Sequence, residues 1–209
     1  MPTTANMDKV NGIVISGTPA PTDRHILLGT QTASSSATLS FSGINSHRSD
    51  VLRSSFDVLE FRFDNMHPAT NGVEFSFQVN TAGASGFNET ITSTVARMYT
   101  DYDNSSKSLA YRTGTDQAQG TAYQKMTEYT SSDNDSGVAG VLTLYAPSST
   151  TYVKQFMLTT TDMYDSTSLS TFHIGGYINI TAAIDEISFK MSSGNIDAGV
   201  IKMYGIAKA

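Results

Sequence analysis

Residues 73–80 read VEFSFQVN, and their alternation decides the fold: Val73, Phe75, Phe77 and Val79 fall on one side of an extended chain, Glu74, Ser76, Gln78 and Asn80 on the other. A strand with an apolar and a polar face is the reading that fits period two. Burying the four apolar side chains contributes about 1.5–3 kcal/mol each, together comparable with the net stability of a domain. A slip of one residue would expose all four, so the register is set by the pattern itself.

The same period recurs on both sides of this stretch. Leu59, Phe61 and Phe63 alternate with Glu60, Arg62 and Asp64, and Ala37, Leu39 and Phe41 with Thr38, Ser40 and Ser42. Ile26–Gly29 opens the body of the chain. Further strands are expected near 90–100, 109–113, 118–126, 138–146, 151–159, 170–180, 184–191 and 199–206, about eleven in all. In the first of these, Ile91, Val95 and Met98 would also suit a helix face, but the run of β-branched and hydroxyl residues favours a strand. Between 64 and 72 the His-Pro and Asn-Gly pairs predict a long structured connection rather than a two-residue hairpin. The last strand is partly apolar in both phases, with Val200, Lys202, Tyr204 and Ile206 in one and Ile201, Met203 and Gly205 in the other, which predicts that it is paired on both edges or covered by a neighbour. Strands without helical crossovers predict an all-β, antiparallel two-sheet β-sandwich, most plausibly a jelly roll, over 26–209.

Residues 1–25 read differently. Pro2, Pro19, Pro21, Gly12 and Gly17 punctuate one apolar island, Val10, Ile13, Val14 and Ile15, so this segment is expected to be an N-terminal arm whose island docks against a partner.

Composition narrows the function. The chain has 209 residues, a net charge of -6 and 13 Lys and Arg in all, scattered along its length, which argues against a nucleic-acid partner. With 0 Cys it can make neither disulfides nor thiolate metal sites. No run approaches the ~20 apolar residues of a membrane span and the first residues lack a secretory pattern, so no membrane partner and synthesis in a cytoplasm are expected. Ser and Thr together outnumber the charged residues, as suits many short strands and turns.

Chemical motifs are largely missing. No HExxH, GxSxG, P-loop or dinucleotide fingerprint occurs, and His25, His47, His67 and His173 are far apart in sequence. Asp101, Asp103 and Asn104, and Asp133, Asn134 and Asp135, space oxygen ligands as calcium loops do, but neither keeps the glycine and glutamate positions of an EF-hand, so solvated turns are expected. Tyr99, Tyr102, Tyr111, Tyr123 and Tyr129 could form a sugar-stacking platform or simply pack in strands. No catalytic residue, cofactor or metal ligand is assigned, and the chain is expected not to be an enzyme.

Four stretches carry a resemblance: GTQTASSSATLSFSGI (29–44), FRFDNMHPATNGVEFSFQV (61–79), LYAPSSTTYVKQF (144–156) and FKMSSGNIDAGVIKMYGI (189–206). Together they resemble a β-rich domain recurring in structural proteins of marine tailed phages, including those of cyanobacteria. It covers roughly 26–206. The loop NSHRSDVLRSS (45–55) departs from it by being longer and more basic. The resemblance implies a virion component made in the host cytoplasm, in contact with other capsid or tail proteins and with itself as a symmetric oligomer, a trimer preferred. A capsid decoration or head-surface role is favoured because the chain has no coiled-coil heptads or repeats. The alternatives are a tail appendage or fibre that binds a receptor, and a lectin-like module that binds a host-surface glycan.

Overall fold

The alternation at 73–80 becomes strand β6 (Phe75–Thr81). The computed structural model describes residues 8–10, 13–15, 25–44, 56–165 and 167–207, all of it strand, turn or loop. His47 and the 45–55 loop lie outside the described residues. The other strands are β1 (Asp8–Val10), β2 (Ile13–Ile15), β3 (His25–Thr32), β4 (Leu39–Ser42), β5 (Phe56–Pro68), β7 (Ile91–Asp101) and β8 (Lys107–Tyr111), followed by β9 (Gln124–Lys125), β10 (Val138–Tyr145), β11 (Lys154–Tyr164), β12 (Ser168–Ile178), β13 (Ile184–Met191) and β14 (Ile196–Ala207).

An eight-stranded sheet runs β3-β14-β5-β10-β11-β12-β7-β8, and a four-stranded sheet runs β4-β13-β6-β9. All pairings are antiparallel. The first four strands of the long sheet and the whole short sheet have jelly-roll order. Each consecutive pair, β3/β4, β5/β6, β9/β10 and β13/β14, crosses from one sheet to the other. The remaining strands are insertions, β7-β8 ahead of β9 and β11-β12 after β10. They extend the long sheet beyond β10.

Phenylalanines from both sheets meet between the layers. Phe63 on β5 lies 5.4 Å from Phe75 and 5.3 Å from Phe189, ring centre to ring centre, and Phe77 lies 5.3 Å from Phe156 on β11. Edge-to-face contacts of this kind add to the stabilisation from burial alone. As expected, β14 is paired on both edges, with β3 and with β5.

Two local expectations are corrected. The segment 64–68 is strand, because β5 continues to Pro68, and only 69–72 turns. Its pairing with β14 shifts register between Ala198 and Val200, where Gly199 has φ +122° and a Cβ would lie 2.6 Å from the carbonyl oxygen of Asn65. A bulge there needs glycine. Only Gln124–Lys125 of the 118–126 stretch is strand. The 90–100 segment is a strand, as expected: Ile91 and Val95 face inward on β7, and Met98 lies on the opposite face and is exposed.

The polar phase of β6 is not a solvent face. Ser76, Gln78 and Asn80 are buried and each is hydrogen-bonded, Ser76 and Asn80 to strand β13 and Gln78 to neighbouring loops. The Gln78 side-chain amide donates to the carbonyls of Glu89, Thr121 and Ala122 at 2.9, 3.2 and 3.0 Å, and its oxygen accepts from the Val79 N–H at 2.9 Å. It ties two loops to the outside of the short sheet. Gln78→Leu would remove the shared donor of three carbonyls and the acceptor of the buried Val79 N–H, and a loss of about 2–3 kcal/mol in urea unfolding, with an unchanged far-ultraviolet spectrum, is expected. A variant as stable as the parent would show that the loops hold without this amide.

Candidate functional site

The inward faces of β7, β11 and β12 change character along their length. At one end they carry Ile91, Phe156 and Ile178; at the other they carry Arg97, Asp162, Ser168, Ser170 and Tyr99. The segment between β8 and β10 closes over this polar end. Its Glu128 accepts from the Arg97 guanidinium at 2.8 Å, from Arg112 Nε at 2.6 Å and from the Thr115 hydroxyl at 2.8 Å. The Arg97 guanidinium also sits over the rings of Tyr99 and Tyr164, 5.2 Å from each centroid. Its bond with Glu128 raises the Arg112 pKa further, so that guanidinium stays charged.

Asp162 lies beside this group, directly across from Ser170 in the β11–β12 register. Thr130 donates to its Oδ2 at 3.1 Å, while its Oδ1 has no hydrogen-bond partner among the described residues. The carboxyl is 2% exposed, and its pKa is raised to about 7. Burial is the main cause. The Thr130 bond opposes it, as does Arg97 more weakly, while the negative Glu128 adds to it. A buried carboxyl poised near neutrality is suited to proton transfer. Among the described residues a surface groove lined by Met98, Thr100, Leu109, Leu169 and Thr171 lies on the other face of the sheet, with Tyr99 of the cluster also on its wall. Through the bonds of Glu128 to Arg97, Arg112 and Thr115 the cluster holds the segment after β8 against the inserted strands.

Lys154 plays a similar part at the opposite end of β11. Its ammonium is buried and donates to the carbonyls of Tyr152, Ile180 and Thr181 at 2.8, 3.2 and 3.1 Å. Burial lowers its pKa. All three of its protons are committed, so it ties the start of β11 to the segment that follows β12.

The residues singled out from the sequence are scattered. His25 lies 3.6 Å from Glu60, His67 lies 3.7 Å from Asp197, and His173 contacts the Thr159 hydroxyl at 3.2 Å. The Asp101 carboxylate is used by its own turn, accepting from the Ser105 hydroxyl at 2.7 Å and the Ser106 N–H at 2.9 Å, and these bonds lower its pKa. Asp133 closes a turn through its carbonyl, which accepts from the Ser136 N–H at 2.8 Å. Among the described residues no three His, Asp or Glu side chains converge as a metal site.

The tyrosines do not form one platform. Tyr99 bonds Ser168 and packs on Tyr164, as does Tyr129; Tyr123 packs beside Phe87; Tyr102 and Tyr111 are exposed. Of the arm, β1 and β2 pair antiparallel with each other, Val10 opposite Ile13 and Lys9 opposite Val14, and neither belongs to the two larger sheets. No protein-family model, curated protein or solved structure matches the chain.

Sequence reading missed the Arg97–Glu128–Asp162 cluster. The signal was phase: Arg97 shares the inward phase of Ile91 and Val95, and Asp162 that of Phe156 and Leu158. Charges at such positions imply buried partners.

Proposed function

We propose that this chain is a non-enzymatic structural protein of a tailed-phage virion, a capsid decoration or head-surface protein that docks through its N-terminal arm. The observation that carries the reading is the division of the strands. Among the described residues both sheets of the sandwich are built from β3 onward, and the arm's β1 and β2 pair with each other as a separate small sheet. An apolar hairpin appended to a finished sandwich suits attachment to a coat. The partner would supply the surface against which Val10, Ile13, Val14 and Ile15 are buried, for example by β-augmentation at an open sheet edge.

Removal of residues 2–22 tests this. The shortened chain is expected to fold, with a melting temperature close to that of the full chain, and to be lost from particles assembled during infection. Failure to fold would mean that the arm supports the sandwich, and undiminished incorporation would place docking elsewhere; either result defeats the proposal.

A further inference from the structure

The outward surface of the long sheet divides by charge. On the jelly-roll strands it carries Glu60, Arg62, Asp64 and Lys202, with Arg62 paired to Glu60 and Lys202 to Asp64. On β10, β11, β12, β7 and β8 the outward positions are filled by threonine, methionine, leucine, glycine, alanine, valine and tyrosine, with one glutamine. Lys107, at the open edge, is the single full charge there, and His173 the single imidazole. Met98, Leu109, Tyr111, Tyr145, Met157 and Leu169, more than half of the large apolar side chains exposed among the described residues, lie on this face. One continuous row across the strands is Leu109, Met98, Thr171, Thr161 and Ala139. A shallow groove of about 420 Å³ opens beside Met98, Leu109 and Leu169.

Soluble surfaces normally carry about 25–35% charged residues. The depletion here coincides with the strands added to the jelly roll. Charge depletion together with exposed Met and Tyr is the composition of an interface core.

We propose that this neutral face is a subunit interface and that its occupant is a second copy of this chain, stacked face to face about a twofold axis. The area fits. Five strands at ~4.8 Å spacing and about nine residues at ~3.3 Å each give a footprint of roughly 700 Å², close to the ~800 Å² that each partner contributes to a standard interface. The chemistry selects the occupant. A charged partner surface would have its charges buried here without counterparts, at a cost of several kcal/mol per ion. On its strands the same face of a second copy brings only Lys107, at the rim on edge strand β8, and Asp116 joins that rim by accepting from the Tyr111 hydroxyl at 2.6 Å. Because one patch serves both subunits, the contact closes at two, so the unit is a dimer rather than the trimer expected from the sequence. The inference does not depend on a place in a virion.

Sedimentation equilibrium of the full chain, from low micromolar to about 100 µM, tests it. A mass of twice 22.4 kDa is expected. Leu109→Glu and Thr171→Glu, each placing like charges across the axis, should give a mass of 22.4 kDa with cooperative melting retained. Leu109 is 76% exposed, so that variant keeps the monomer fold. Lys202→Ser, on the charged half, should leave the dimer intact. A parent that is monomeric throughout, a trimer, or a dimer unmoved by Leu109→Glu overturns the proposal. Particle incorporation of the arm-deleted chain is a separate readout, so either proposal can fail while the other holds.

Discussion

Phe77→Asp is expected to yield a chain without a cooperative melting transition. Phe77 is fully buried, opposite Phe189 and Gln124 in the short sheet, and its ring meets Phe156 of the long sheet edge-on. A carboxylate at this position would stand between the sheets with no counter-ion. Its desolvation costs several kcal/mol, and the lost aromatic contacts cost about 3–5 kcal/mol more. Domains of this kind have only about 5–15 kcal/mol to lose. Circular dichroism during heating is the check: the parent should melt sharply and the variant should show no transition. A variant melting within a few degrees of the parent would mean that the two sheets do not depend on each other here.

The legibility of the fold follows the same physics. Alternation reports which residues share a side of a strand, and wherever that side faces the core the sequence reading holds, as for Leu59, Phe61 and Phe63. Apolar residues in both phases of β14 marked a covered strand, and it is paired on both edges, but the phase of Lys202 and Tyr204 is only partly buried and lies on the outward surface. Alternation does not report what covers a polar side. Ser76, Gln78 and Asn80 read as a solvent face, yet all three are buried, with hydrogen bonds met by the neighbouring strand β13 for Ser76 and Asn80 and by the loops at 87–89 and 121–122 for Asn80 and Gln78. Strand order is also invisible to period. The pairing of β7 with β12 joins residues separated by two further strands of the jelly roll, and nothing local at either strand specifies it.

Function was less legible than fold for a related reason. The motifs sought were local, while the features that distinguish this molecule are assembled from separate strands. The neutral outer face takes two or more residues from each of β10, β11, β12, β7 and β8, and in any one strand Thr and Met at alternate positions look like an ordinary exposed side. Only the sheet order shows that these sides adjoin, and only then does the missing charge become a property of a surface.

Asp162→Asn is expected to stabilise the protein at alkaline pH and to flatten the dependence of its stability on pH. The acid's ordinary value of 3.8 describes the unfolded chain, and burial raises it to about 7 in the folded protein. Below pH ~4 both states hold the proton and the residue contributes nothing to the balance. As pH rises from there to about 7 the unfolded chain ionises while the folded one keeps its proton, so stability falls, and above that range the penalty is complete. A shift of this size corresponds to about 4 kcal/mol, at about 1.4 kcal/mol per pH unit. An amide preserves the acceptor for the Thr130 hydroxyl, and its new N–H group takes the place of Oδ1, facing Ser170, whose hydroxyl also has no partner among the described residues. The variant and the parent should therefore unfold at nearly the same urea concentration at pH 4 and diverge towards pH 8.5, with the variant the more stable. The opposite order at pH 8.5 would mean that the positive charge of Arg97, which partly offsets the burial, outweighs it, and that Asp162 is an ionised member of the cluster instead of a proton held between the strands.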